Sequence, residues 1–199
     1  MDLWLKLVLV QAALLTIQGI LYFGVQYFEG PPHDMKLPLD DHIPFRTQAI
    51  FIYVLWYPLI AFYPLALYAF SPEAYKVYMI AIVVDILISI FIFYVYPTSF
   101  ERPKPTTDTL SGKTMALMHI ANYTGKNCLP SMHCSMCFII LFSAGGCDQI
   151  PFGMLVGVVI LTLGIVISTV LTKQHVIIDV VAAHPLALFC IWIAEKSIF

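Results

Sequence analysis

Charge is what this sequence has least of. Ten Lys and Arg and twelve Asp and Glu are spread over 199 residues, 11% of the chain, against about a quarter in a soluble globular domain. With 60% hydrophobic side chains, that scarcity excludes a water-soluble fold and identifies an integral membrane protein. There is no basic run and the formal net charge is -2, so the electrostatic footprint of a nucleic-acid partner is missing. MDLWLKLVLV lacks a basic leader and a small-residue cleavage site, and its apolar run outlasts a signal-peptide core. Leu3 to Phe28 is therefore expected to be a retained first span. Cysteine is sparse and odd in number. Cys128, Cys134, Cys137, Cys147 and Cys190 lie mostly in or beside apolar runs and imply no disulfide framework. Internal repeats are also absent, which gives no sign of a two-fold transporter architecture.

What remains is apolar sequence in bilayer-sized lengths. About 20 mostly apolar residues cross a hydrocarbon core roughly 30 Å thick. Six stretches qualify: Leu3–Phe28, Thr47–Phe70, Val77–Tyr96, Met132–Cys147, Phe152–Thr172 and Val176–Ala194. The fourth is short. Only Lys173, Gln174 and His175 separate the last two, which predicts a tight helical hairpin. The chain thus reads as one all-α domain over residues 1–199, a polytopic bundle of six transmembrane helices. Two connections are long and proline-bearing, Glu29–Arg46 and Tyr96–Pro130, the second with room for a short helix over Thr114–Ile120. Ser71–Lys76 and Asp148–Pro151 are brief turns. Spans alternate sides, so both long loops and the last hairpin share one face, and the short turns share the other with the termini. Lys36, Arg46, Arg102, Lys104, Lys113, Lys126 and Lys173 fall on the long-loop face, against Lys6, Lys76 and Lys196. Taken literally, that bias puts the long loops in the cytoplasm. Cations recruited by an anionic substrate are not topology signals, so charge leaves the orientation open.

Three segments of the long-loop face concentrate polar groups: FERPKP around Arg102, CLPSMHC around Ser131 and His133, and TKQHVIID ending at Asp179. A charged group at bilayer depth costs about 3 kcal/mol unless it is paired or faces water, so Lys173, His175 and Asp179 within seven residues require a return. Residues four apart share a helix face, so Asp179 can accept the Nδ1 proton of His175. That fixes the tautomer and frees the other ring nitrogen to attack an electrophile. His133, after a Pro-Ser pair at a helix start where backbone amides favour anions, suits a general acid and then a base. Arg102 and Lys173 supply positive charge, and Ser131 a hydroxyl or amide, for the oxygens of a transferring phosphoryl group. The scheme needs no metal and no cofactor. Blander readings stand beside it: Ser131 as a helix cap, Lys173 snorkelling to the interface, Arg102 as a headgroup anchor, and His33, His42, His119 and His184 as structural residues. His133, Cys134 and Cys137 have spacing that a zinc ion could use, but no fourth ligand is evident. A serine protease built on Ser131 and His175 lacks a nucleophile elbow. Asp85, inside the third span, is expected to face the bundle interior.

Arg102-Pro103, Pro130-Ser131-Met132-His133 and the run from Ser168 to Asp179 resemble the three motifs of the type 2 phosphatidic acid phosphatase superfamily, approximately K-x6-RP, PSGH and SR-x5-H-x3-D. Leu39 to Phe45, LDDHIPF, is similar to a segment before the second helix in the branch that includes inositol phosphorylceramide synthases. The resemblance implies a six-helix core with His175 as phosphohistidine-forming nucleophile, Asp179 as its partner, His133 as acid, and Arg102 and Ser131 as phosphate ligands. It also implies a site on the extracytoplasmic face. Three positions depart from the pattern. Val95 replaces the first-motif lysine, Met132 the glycine and Thr169 the third-motif arginine, so two phosphate-binding cations are missing. Lys173 is the expected substitute.

The activity expected is that of a lipid phosphate phosphatase acting among membrane lipids. One alternative is headgroup transfer of the sphingolipid-synthase type, in which an alcohol replaces water. The other is a non-catalytic membrane protein that binds an anion or transports it. Lipid chain, headgroup and oligomeric state are not encoded in these motifs.

Overall fold

The computed structural model describes residues 2–28, 30–122 and 125–198. In chain order the elements are α1 (Leu3–Val25), β1 (His33–Asp34), 3-10 turns at Pro38–His42 and Thr47–Ala49, α2 (Ile50–Tyr53), α3 (Trp56–Phe70), α4 (Pro72–Val95), β2 (Thr98–Ser99), α5 (Leu110–Ala121), α6 (Met132–Gly145), α7 (Phe152–Leu171) and α8 (Ile177–Ile198). Among the described residues, five segments are long and apolar enough to cross a membrane: α1, Thr47–Phe70, α4, α7 and α8. The protein is an all-α, multi-pass membrane-helix bundle.

Helix α6 has 14 residues and at 1.5 Å per residue is about 21 Å long, too short for the hydrocarbon core by itself. Its surroundings explain how so short a helix persists. It packs on α3, α4, α7 and α8, and nine of its 14 residues are buried, so most of its length is surrounded by protein.

Local chemistry sets the other boundaries. Ser71 accepts from the Ala74 amide at 3.1 Å and Pro72 occupies the first turn, so α4 begins several residues before the expected third span. Thr109 caps α5 through the Gly112 amide and extends it beyond the expected Thr114–Ile120. The second span breaks into α2 and α3 at Val54 and Leu55, four and three residues before Pro58, whose ring collides with the carbonyl one turn back. There the hydrogen bonds tighten to three-residue steps, Leu55 to Ile52 and Tyr57 to Val54. Pro64 would leave the Ile60 carbonyl bare within the bundle, but the Gln11 amide of α1 donates to it at 2.8 Å. Asp85 finds its partner on α6, where Ser135 Oγ donates to it at 2.8 Å.

One end of the bundle carries the long loops as a layer. β1 pairs in parallel with β2, His33 with Thr98 and Asp34 with Ser99. Thr98 Oγ1 accepts from the Cys128 and Leu129 amides at 3.2 and 2.9 Å, Asn127 donates to the Tyr22 carbonyl, and the Arg46 amide to the Leu171 carbonyl. These ties gather the C-terminal ends of α1, α4 and α7 with the N-terminal ends of the second span, α6 and α8.

Candidate functional site

His175 sits in the turn between α7 and α8. The turn closes when Lys173 enters the left-handed region, at φ 51°, so that the Gln174 and His175 amides both donate to the Thr169 carbonyl, at 2.9 and 3.2 Å. This satisfies the C-terminal end of α7 and starts α8 two residues later. Asp179 then lies in the first turn of α8, where the helix dipole favours a carboxylate. Its Oδ2 accepts from the Val176 amide at 3.0 Å and lies 3.2 Å from His175 Nδ1. Asp179 is fully buried, and its Oδ1 has no partner among the described residues.

The same residue carries the link to α6. The Asp179 carbonyl accepts from the Ser131 amide at 3.1 Å, which fixes the start of α6 against the first turn of α8. His133, in the first turn of α6, is thereby brought to His175, with ring centroids 5.9 Å apart. Among the described residues no side chain hydrogen-bonds His133 into place. Its ring lies 4.0 Å from that of Trp56 and 4.8 Å from that of Tyr53, centroid to centroid, and its Nε2 is buried without a partner among the described residues. Aromatic faces therefore set the ring plane while one nitrogen stays available.

Ser131 does what the cap reading requires. Its hydroxyl accepts from the Cys134 amide at 3.3 Å and its own amide is taken by Asp179, so only the hydroxyl proton is left for a ligand. Arg102 is half-buried, its guanidinium 5.8 Å from the Phe100 ring, with Nε and Nη1 unpartnered among the described residues. Arg102 and Lys173 line one cavity of about 470 Å³ together with Val176, next to the histidine. His133 lines another, mostly apolar, of about 370 Å³ between α1, α3 and α5, with Gln18, Tyr22, Trp56 and Gln174. The structure thus joins His175, Asp179 and His133 in one cluster and sets Arg102 and Lys173 along a cavity beside it. Lys173 Nζ donates to the Asp40 carbonyl at 2.6 Å. Burial lowers the Lys173 pKa, and the negative charges of Asp40 and Asp41 act the other way.

Sequence reasoning passed over three groups here. Trp56 and Tyr53, which hold His133, looked like ordinary span aromatics. Asp40 lay inside LDDHIPF without a role. The pKa of His119, one of the histidines read as structural, is lowered first by burial and then by the positive charge of Arg102. Cys134 and Cys137 are buried in the core, Cys134 Sγ 3.6 Å from Thr169 Oγ1. Among the described residues no three His, Cys, Asp or Glu side chains converge as metal ligands. The chain matches no family model, no curated protein and no solved structure.

Proposed function

We propose that the protein is a lipid phosphate phosphatase working through a phosphohistidine. The observation that carries this is the arrangement of His175, held at Nδ1 by a buried carboxylate, with a second imidazole 5.9 Å away whose Nε2 is unpartnered among the described residues. His175 Nε2 attacks phosphorus, the P–N bond forms and the P–O bond to the lipid breaks, and His133 gives its proton to the departing oxygen. His133 then takes a proton from water as that water attacks phosphorus, the P–N bond breaks, and inorganic phosphate leaves. Arg102 and Lys173 stabilise charge on the remaining phosphoryl oxygens.

The resemblance to the type 2 phosphatidic acid phosphatase superfamily supports the same assignment. On that basis α6 counts as a sixth crossing and the site faces the extracytoplasmic side. Two of the departing positions bring no cation to the cluster. Val95 is exposed at the end of α4, and Thr169 is buried with its hydroxyl bonded to the Val166 carbonyl, so phosphate charge rests on Arg102 and Lys173. One observation favours transfer to an alcohol as a second reading: Asp40, from the LDDHIPF segment similar to inositol phosphorylceramide synthases, is hydrogen-bonded to the start of α8 at Ile177.

The test is phosphate release by purified protein from phosphatidate, phosphatidylglycerophosphate and isoprenyl diphosphate, with His175→Ala alongside. Activity lost in a folded His175→Ala supports the assignment, and undiminished activity overturns it. A new headgroup-bearing lipid formed only when an alcohol is added favours transfer. Vanadate binding without any turnover would indicate an anion-binding protein.

A further inference from the structure

Asp40 is buried, with 2% of its surface exposed, although it belongs to a loop whose neighbours Leu39 and Asp41 are exposed. Each of its three oxygens accepts a hydrogen bond. Oδ2 accepts from the Leu37 amide at 2.8 Å and so closes the 3-10 turn on itself. Oδ1 accepts from the Ile177 amide at 2.8 Å, the first residue of α8 and two beyond His175. The carbonyl accepts from Lys173 Nζ at 2.6 Å, two residues before His175. One loop residue, 137 positions away from Ile177 in sequence, therefore grips the nucleophile's turn on both sides. The Ile177 amide is one of the donors that a helix start leaves open, and Lys173 stands in a left-handed conformation that nothing local to its own side chain favours.

We propose that Asp40 is a positioning residue that holds His175 and Lys173 at the angle the phosphoryl transfer needs. This rests on the reading of His175 as the nucleophile. Without the Asp40 carboxylate, the first turn of α8 would lose its cap and the hairpin its fixed distance from the loop. His175 and Asp179 would remain bonded to each other and tied to α6 through the Ser131 amide, but would move with it as a unit relative to Arg102 and the first long loop. A misplacement of about 1 Å is enough to cost on the order of a hundredfold in rate. Asparagine keeps one acceptor oxygen for two amide donors, whereas alanine keeps none, so the two substitutions should grade the effect.

The pH profile offers a readout that loop packing alone would not move. Lys173 is faced by Asp40, Asp41 and Lys36 from the first long loop and by Glu101 and Arg102 across the cavity. Burial lowers the Lys173 pKa first, and Asp40 is one of the two negative charges that oppose that lowering. Removing that charge lets the ammonium deprotonate at lower pH, so the alkaline limb of activity should move toward neutrality.

The experiment compares Asp40→Asn, Asp40→Ala, His175→Ala and, as a loop-carboxylate control, Asp34→Asn, all as full-length protein in detergent. Phosphate release from phosphatidate, thermal unfolding and amide exchange over residues 172–180 are measured on each. The expected result is a kcat lower by about tenfold in Asp40→Asn and about a hundredfold in Asp40→Ala, with KM little changed. The alkaline limb should shift in both, the Ile177 amide should exchange faster, and Asp34→Asn should match the wild type. Wild-type kcat in Asp40→Ala beside an inactive His175→Ala overturns the proposal. So does a loss of kcat that tracks lost folded protein with an unmoved pH profile. If His175→Ala stays active, the functional assignment fails instead, and unchanged exchange at Ile177 in Asp40→Ala would still refute the grip by itself.

Discussion

Asp179→Asn tests the pair at the centre of the site. The wild-type carboxylate is fully buried and receives both of its donors, His175 Nδ1 at 3.2 Å and the Val176 amide at 3.0 Å, on Oδ2. Asparagine presents either an oxygen or an NH2 at that point. If the oxygen stays, the bond to His175 survives without its charge. Hydrogen bonds to charged groups exceed neutral ones by roughly 1 to 1.5 kcal/mol, which is about tenfold in rate. If the NH2 turns toward the imidazole, Nδ1 must accept, the proton moves to Nε2, and the lone pair that the proposed attack on phosphorus requires is gone. Loss of the correct tautomer costs about 10⁴ in the serine-protease triad. The expected fall in kcat therefore lies between about tenfold and 10⁴-fold, without loss of the fold. Phosphate release from a dispersed lipid phosphate gives kcat, thermal unfolding verifies the fold, and single-turnover trapping of acid-labile phosphohistidine reports the intermediate. A folded Asp179→Asn protein with wild-type kcat would refute the pairing as the basis of nucleophilicity.

Trp56→Leu removes the ring 4.0 Å from His133 and should lower kcat by about 2- to 10-fold, the worth of one aromatic stack; an unchanged rate would mean that Tyr53 alone orients the imidazole. Lys173→Met should lower kcat/KM by at least about tenfold, the value of a charged hydrogen bond, and should abolish the alkaline limb; a limb that persists belongs to another group. Gln11→Leu should destabilise the bundle by about 0.6 to 2 kcal/mol by baring the Ile60 carbonyl, and the loss should vanish in a Pro64→Ala background, where residue 64 regains an N–H. An unfolding double-mutant cycle without coupling would contradict this. Gly112→Ala would place Cβ 1.7 Å from the Thr106 carbonyl oxygen and should cost about 1–3 kcal/mol through forced loop displacement, read as a lower melting temperature.

What could be read from the sequence was what is local. His175 and Asp179 are four residues apart at a helix start, so their contact followed from helical geometry alone. The capping role of Ser131 and the tight hairpin turn at Lys173 were likewise contained within a few residues. Contacts across the bundle were not legible. Asp85 could be assigned to the interior because a carboxylate is costly in lipid, yet nothing in its own helix pointed to Ser135, fifty residues on. Asp40 was further removed, since its partners at Lys173 and Ile177 are set by how the first loop folds over the last hairpin. Trp56 was obscured by abundance, one aromatic among many in a chain that is 14% aromatic. Element boundaries missed where a single polar residue outweighed hydropathy: Ser71 and Thr109 start their helices earlier than the apolar runs do.

The bond between the Ser131 amide and the Asp179 carbonyl uses main-chain atoms only. No side-chain substitution can delete it, short of one that removes the N–H or bends the backbone. The spacing of the two imidazoles is thus insulated from changes in the residues around them. Changes in the basic groups at the rim, Arg102 and Lys173, would retune what is bound and leave the two imidazoles in register.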